Sequence, residues 1–306
     1  MSIPEPTGPG RVLVTGIKGF TGGYLAAELA AHGWEVWGLG SQPQRTGEDD
    51  ARYRCVDLLD GPAVQRVIDE VRPQAVVHLA AIAFVGHGDA DAFYRVNLMG
   101  TRHLLAALAA SGQQLRCVLL ASSANVYGNA TGGMLGEYTP PAPANDYAVS
   151  KLAMEHMARL WAARLPLVIT RPFNYTGVGQ TQDFLLPKIV AHFRRRADAI
   201  ELGNLDVSRD FSDVRDVVSA YRRLLETAPV GATVNVCSGA AHTLREVVDM
   251  ASRLSNHALA LQVNPAFVRA NEVRMLCGDP QRLRALIGDW QPRPLEDTLG
   301  WMLACD

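Results

Sequence analysis

Residues 11–32 run from an apolar stretch, through three glycines at three-residue spacing, into an alanine- and leucine-rich segment. Arg11-Val-Leu-Val-Thr-Gly16 is short, apolar and closed by glycine, which is the pattern of a buried strand. Phe20–His32 carries a helical pattern that stops at Gly33. In Gly16-Ile-Lys-Gly19-Phe-Thr-Gly22 the first glycine permits a tight turn, and the second lets backbone approach a bound pyrophosphate. The third lets helix and strand pack closely, with the helix N-terminus directed at the phosphate charge. A strand, a glycine turn and a helix in that order imply a crossover connection, and so parallel strands. The expected use of this loop is dinucleotide binding. The competing reading is a plain βα turn, since the spacing is GxxGxxG rather than GxGxxG.

The same rhythm continues along the chain. Strand-like runs at Glu35–Leu39, Tyr53–Val56, Ala75–Leu79, Cys117–Ala121 and Leu167–Thr170 alternate with helical patterns. The helical patterns cover Pro62–Val71, much of Ala92–Ser111, and about Asp146 to Arg164. This predicts an α/β fold, a doubly wound parallel (Rossmann) sheet with a smaller C-terminal substrate-binding lobe. Residues 1–175 are expected to form the dinucleotide-binding domain, with 213–240 returning to it through Ala232–Cys237. Residues 176–306 then supply most of the lobe, with helices near Phe184–Arg195, Val214–Leu225 and Leu244–Ser255.

Composition excludes several alternatives. A net charge of −2 offers no basic field for nucleic acid and no polybasic membrane anchor. Arg194-Arg-Arg196 is read as a solvated helix end. No apolar stretch approaches the roughly 20 residues of a membrane span, and Met1–Gly10 reads as a loose leader without a signal-peptide core. The five cysteines lack paired spacing, which predicts reduced thiols, a cytoplasmic location and no metal site. Arginine outnumbers lysine 26 to 3, so Lys18, Lys151 and Lys188 stand out.

An acid at the end of the second strand would hold the ribose of NAD. Here that strand ends Gly38-Leu-Gly-Ser41, with no acid before Glu48, while Arg45 and Lys18 supply cations. Missing repulsion and nearby cations favour NADP(H). The competing reading is NAD(H), with Ser41 at the ribose and Arg45 solvated. Phe20, Asp57-Leu58 and Leu79-Ala80-Ala81 fall at the same edge, where small residues leave room for a flat cofactor; each also has a plain packing explanation.

Tyr147 and Lys151 are four apart on a predicted helix and therefore share a face. A phenol titrating near 10 is a poor acid–base at neutral pH, and a neighbouring ammonium favours the phenolate. Ser122 and Ser123 end the fifth strand, at the glycine-loop edge, where a serine hydroxyl would hold a substrate oxygen. Together they describe a proton donor and acceptor beside a hydride carrier.

At this point the sequence resembles the extended short-chain dehydrogenase/reductase family. The residues that carry the resemblance are Val14–Gly22, His78-Leu-Ala-Ala81, Asn97-Leu-Met-Gly-Thr101, Ser122-Ser-Ala-Asn-Val-Tyr-Gly128, Tyr147-Ala-Val-Ser-Lys151 and Arg171-Pro-Phe-Asn174. It implies a catalytic Ser123–Tyr147–Lys151 set, with Asn97 supporting the lysine and Pro172 near the cofactor. It also implies a homodimer built on the helices around Asn97–Ser111 and Asp146–Arg164. His78, on an apolar strand, is read as a satisfied core histidine.

The family's 4,6-dehydratases carry adjacent acids just after the serine or threonine; here those positions hold Ala124 and Asn125. The second half is similar to GDP-4-keto-6-deoxy-D-mannose reductases, in Arg171–Gln180, Leu186–Val190, Gly203–Asp216 and Val268–Val273. That resemblance implies a GDP-linked sugar bound by Ser123, Asn125, Asn174, Lys188, Arg209, Arg269 and Glu272. The competing reading of Arg209 is a surface ion pair with Asp210 or Asp213. The expected activity is reduction of a 4-keto-6-deoxy nucleotide sugar to GDP-D-rhamnose. A nucleotide-sugar 4-epimerase or dehydratase of the same family, and more remotely a non-catalytic NAD(P)-binding regulator, are the alternatives.

Overall fold

The computed structural model describes residues 9–43, 51–83, 88–128, 133–267 and 274–305. The predicted alternation is present. In chain order come β1 (Arg11–Thr15), α1 (Phe20–Ala31), β2 (Glu35–Gly40), β3 (Tyr53–Cys55), α2 (Gly61–Val71) and β4 (Ala75–His78). A short α3 (Ala90–Phe93) runs through a π-helical turn, Tyr94–Gly100, into α4 (Thr101–Ala110). Then follow β5 (Cys117–Ala121), α5 (Asp146–Arg159), β6 (Leu167–Pro172) and β7 (Asn174–Thr176). The remainder comprises α6 (Leu185–Arg194), β8 (Ala199–Leu202), β9 (Ser208–Asp213), α7 (Val214–Thr227), β10 (Thr233–Val236), β11 (Ala241–Thr243), α8 (Leu244–Ser255), β12 (Ala260–Val263), β13 (Met275–Leu276), α9 (Gln281–Ile287) and α10 (Leu295–Ala304).

Seven strands form one parallel sheet in the order β10-β6-β5-β4-β1-β2-β3. The order reverses between β1 and β4, which is where doubly wound sheets bind ligands outside the carboxyl ends of their strands. Val12, Leu13 and Val14 of β1 and Ala75, Val76 and Val77 of β4 are completely buried, as expected for strands covered on both faces. α2 starts where the Asp60 carboxylate accepts from the Ala63 amide at 3.0 Å, and α5 where the Asn145 side chain accepts from the Ala148 amide at 2.9 Å. Such caps stabilise a helix by about 1 kcal/mol each.

The chain divides into two compact units. The first holds residues 1–122, 145–171 and 218–234; the second holds 123–144, 172–217 and 235–306. The first buries Leu13, Leu39, Ile68, Leu104 and Leu119 around the large sheet. The second has its own core around Ile189, Phe193, Val247 and Leu299. Its sheet runs β11-β9-β13, with β7 also paired to β9, beside a two-stranded β12-β8 pair. Among the described residues no helix is long and apolar enough to cross a membrane.

Two local expectations change. The helix expected to reach Arg164 ends at Arg159, and bonds such as Trp161 N–H to the Ala158 carbonyl at 2.8 Å tighten the chain into turns that deliver it to β6. The helix expected over Ala92–Ser111 is interrupted by the π turn, in which Asn97 lies buried.

Candidate active site

The glycine loop is built for close approach. Gly16 has φ +72°, a left-handed conformation that side chains disfavour, and a Cβ there would lie 2.9 Å from the Ala80 nitrogen. A Cβ on Gly22 would come within 2.2 Å of the Gly16 carbonyl oxygen, so α1 can start this close to β1 only on glycine. The Gly16 amide donates to the Leu39 carbonyl at 2.7 Å, and the Gly19 amide to the Gly16 carbonyl at 2.9 Å. α1 begins after Gly19 with no side-chain cap and no acid in its first turn, so the positive end of its dipole suits an anion. Phe20, at its first position, packs edge-on to Tyr24. These features fit an NAD(P) pyrophosphate.

Lys18 sits 4.2 Å above the Tyr53 ring, and the Tyr53 hydroxyl donates to the Gln42 carbonyl at 2.6 Å. The lysine is thus held beside the end of β2, where Ser41 is exposed. Arg45 lies outside the described residues. Asp57 is exposed and accepts from the Leu59 amide at 2.9 Å, while Leu58 is buried. Leu79 and Ala80 are bound to β1, the Leu79 amide to the Thr15 carbonyl and the Ala80 amide to the Thr15 hydroxyl, each at 3.2 Å. Ala81 follows half-buried, and Pro172 is buried at the end of β6.

Beneath this edge runs a chain of hydrogen bonds. The Thr101 hydroxyl donates to the Asn97 carbonyl at 2.7 Å, so it accepts from His78 Nε2 at 2.8 Å. His78 Nδ1 then accepts from the Thr15 hydroxyl at 2.7 Å. Burial first, and the Lys151 charge second, push the imidazole pKa down to about 3, so His78 is neutral. It is a fully satisfied core histidine.

Tyr147 and Lys151 are both buried on α5. The Tyr147 ring meets Phe93 edge-on, with centroids 5.9 Å apart. Lys151 Nζ donates to the Ala121 carbonyl, the last residue of β5, at 2.8 Å. Burial pushes the ammonium down to about 8, and the Glu155 carboxylate partly opposes that. Asn97 does its holding one residue away from the lysine. Its side-chain amide donates to the Ser150 hydroxyl at 3.1 Å and exchanges two bonds with the Ile82 backbone, while Ser150 donates to the Tyr147 carbonyl at 2.8 Å.

Further residues of this environment were not singled out from sequence. Glu155, completely buried, accepts from Ser122 Oγ at 2.6 Å and from Arg171 Nε and Nη2 at 2.8 and 2.7 Å. The signal for Glu155 was available, because it continues the four-residue spacing of Tyr147 and Lys151 by one turn. Its partners, Ser122 just after β5 and Arg171 on β6, stood in motifs read from the sequence, but nothing local to them points to Glu155.

In the second unit Ser123 opens a tight turn and its oxygen accepts from both the Asn125 amide, at 3.1 Å, and the Asn125 side-chain amide, at 3.2 Å. With those acceptor sites occupied, the serine proton is free to be donated. Asn174 donates to the Asp210 carbonyl at 3.4 Å. Lys188 donates to the Glu201 carbonyl at 2.9 Å and lies 4.5 Å over the Phe267 ring. Arg209 donates to the Ser208 carbonyl at 2.9 Å. The two carboxylates suggested as its partners have other ones. Asp210 accepts from the Ser238 hydroxyl and three backbone amides, and Asp213 pairs with Arg215 at 2.6 Å. Arg269 and Glu272 lie outside the described residues.

A nucleotide-binding loop at a parallel-sheet switch point and a buried Tyr–Lys pair on α5 define an NAD(P)-dependent oxidoreductase of the extended short-chain dehydrogenase/reductase class. Residues 13–299 match the model of the GDP-mannose 4,6-dehydratase family, and the chain belongs to that family. It is 35% identical over 314 residues to the GDP-6-deoxy-D-mannose reductase of Pseudomonas aeruginosa, covering 94% of this chain and 99% of that one. It is 34% identical over 282 residues to the GDP-6-deoxy-D-talose 4-dehydrogenase of Aggregatibacter actinomycetemcomitans, covering 91% and 92%. Among solved structures, one from Burkholderia cenocepacia J2315, named provisionally as an epimerase, aligns with a TM-score of 0.90 at 52% identity over 96% of each chain. The structure of RMD from Pseudomonas aeruginosa in complex with NADPH aligns with a TM-score of 0.83 at 33% identity, covering 96% of this chain and 98% of that one.

Proposed function

We propose that the protein is an NAD(P)H-dependent reductase of a 4-keto-6-deoxy nucleotide sugar, with GDP-4-keto-6-deoxy-D-mannose as substrate and GDP-D-rhamnose as product. The observation that carries the reading is the residue pair after Ser123. Ala124 has no functional group, and Asn125 spends its side-chain amide on the Ser123 oxygen. Neither residue can protonate a leaving hydroxyl or remove a carbon-bound proton, which dehydration requires. Ketone reduction needs neither step.

When bound, the nicotinamide supplies the hydride. Ser123 donates a hydrogen bond to the substrate carbonyl oxygen and keeps its proton. Tyr147 delivers the proton that completes the alcohol, and Lys151 lowers the cost of the phenolate left behind. The first unit takes the cofactor through Gly16, Gly19 and Gly22, and Lys18 beside β2 supports NADP(H) over NAD(H). Asn174, Lys188, Arg209, Arg269 and Glu272 are assigned to the sugar nucleotide. We assign homodimer formation to α4 and α5, because Met99, Val149 and Leu160 are exposed there or beside them. A cytoplasmic location agrees with five free thiols.

The relatives named for GDP-6-deoxy-mannose and GDP-6-deoxy-talose chemistry support a GDP-linked 6-deoxyhexose, and those two sugars differ at C4. The test is to supply GDP-4-keto-6-deoxy-D-mannose with NADPH or NADH, follow reductant absorbance, and determine the C4 configuration by NMR. Consumption with formation of GDP-D-rhamnose supports the proposal. A second reading, 4-epimerisation, is favoured by the Burkholderia neighbour's description. Interconversion of UDP-glucose and UDP-galactose without added reductant would establish it instead.

A further inference from the structure

We propose that Glu155 is a positioning residue for the proton transfer: clamped by Arg171 and Ser122, it keeps the Lys151 ammonium charged and fixes the end of β5 to α5. The inference rests on the reductase reading for the identity of that proton transfer. Its geometry does not depend on the sugar.

Tyr147, Lys151 and Glu155 occupy successive turns of one helix face. Glu155 is completely buried and Arg171 is 4% exposed. The guanidinium fork engages both carboxylate oxygens, the Ser122 hydroxyl takes one of them, and Arg159 reaches the other at 3.2 Å. Burying such a pair costs several kcal/mol of desolvation per ion, and well-packed apolar residues of similar size are often as stable or more so. A purely structural clamp at this position has no need of charge.

The charge has an evident recipient. The groups around this face are Tyr147, Lys151 and Arg159 from α5, His78 from β4, Ser122 after β5 and Arg171 from β6. His78 is neutral, so Glu155 is the anion of that set. Burial would raise its own pKa, but hydrogen bonds and charge from Arg171, with the Ser122 bond and Arg159, hold it below the usual carboxylate range. It therefore remains ionised wherever the enzyme works and opposes the loss of the Lys151 proton that burial promotes.

The clamp also sets geometry. Ala121 and Ser122 are consecutive, and each is bonded to a different turn of α5, Ala121 through Lys151 and Ser122 through Glu155. Ser123 is the next residue in the chain. Arg171, which opens the Arg-Pro-Phe-Asn run, thereby acquires a role.

Three lysines in the whole chain make the test direct. Protein labelled with 13C at the lysine ε carbon gives three signals, assigned with K18R and K188R. The Lys151 signal is expected to titrate near 8 in the wild type. In E155Q it should move down by about one pH unit or more, the usual effect of a close carboxylate. E155D, which keeps the charge, should restore the wild-type titration at a lower Tm. Should E155Q fail to fold once Arg171 has lost that carboxylate, E155Q/R171M is compared with R171M, so that the two proteins differ only in the Glu155 charge. A Lys151 titration unmoved in the folded variant, or E155D shifting as far as E155Q, overturns the proposal. Failure of the reductase reading shows separately, as wild-type enzyme that does not oxidise NADPH with the keto sugar.

Discussion

Replacing Lys151 by Met should stabilise the protein while abolishing turnover. The ammonium is 5% exposed and its pKa in the fold is about 8, against 10.5 for a free lysine side chain. At pH 7 that difference costs folding about 3 kcal/mol. Methionine fills similar space without a charge but leaves the Ala121 carbonyl without its donor, a loss of about 1 kcal/mol. The net gain of about 2 kcal/mol corresponds to a Tm increase of about 3 °C in a chain of 306 residues. The pH dependence is the diagnostic part. Below pH 8 folded and unfolded chains both carry the proton, and the penalty is complete. Between 8 and 10.5 the unfolded chain binds the proton more tightly, so wild-type stability rises with pH relative to the variant and the gap closes. Scanning calorimetry of cofactor-free wild type and K151M from pH 7 to pH 10 reads this directly. A variant less stable than wild type at pH 7, or a Tm gap that does not change with pH, would refute the reasoning.

Other outcomes follow from the same geometry. Tyr147→Phe removes only a hydroxyl and should lower kcat by about 100- to 10,000-fold, with NADPH affinity by fluorescence titration unchanged. Lys18→Ala should reduce the NADPH-to-NADH ratio of kcat/KM at least about fivefold, because one close cation is lost from the 2′-phosphate. An unchanged ratio would show that Lys18 takes no part in cofactor choice. His78 is held neutral down to about 3, whereas the unfolded chain protonates its histidine near 6.5. Between those values the unfolded chain binds more protons, so wild-type stability falls as the pH drops, by up to about 1.4 kcal/mol per pH unit. Denaturation by urea at pH 4.5 and 7 should show a smaller drop for His78→Gln.

The parts of this site that were legible in sequence are those whose partners lie within a turn or so. The glycine loop is a local backbone requirement, and the Tyr147–Lys151 face follows from helical spacing. Glu155 was passed over, and Ser150 and Arg171 were read only as motif residues, because a buried ion pair and a hydroxyl bridge are decided by which strands come together, here β5 and β6 against α5. Asn97 was expected to support the lysine; the π turn before α4 points its amide at Ser150 and Ile82, one residue away. The lysine count proved informative for Lys151, whose ammonium is buried and bonded. Lys188 is engaged by the Glu201 carbonyl and the Phe267 ring, contacts that spacing does not reveal.

The central claim is that a reductant hydrogen ends on C4 of a 4-keto-6-deoxy sugar while Tyr147 provides the proton. Reaction of GDP-4-keto-6-deoxy-D-mannose with NADPH deuterated at the transferred position, followed by proton NMR, tests it most directly. The account predicts GDP-D-rhamnose with deuterium at C4, formed in step with NADPH oxidation and not by Y147F. Product carrying protium at C4, or sugar conversion that proceeds without NADPH or NADH, would contradict it.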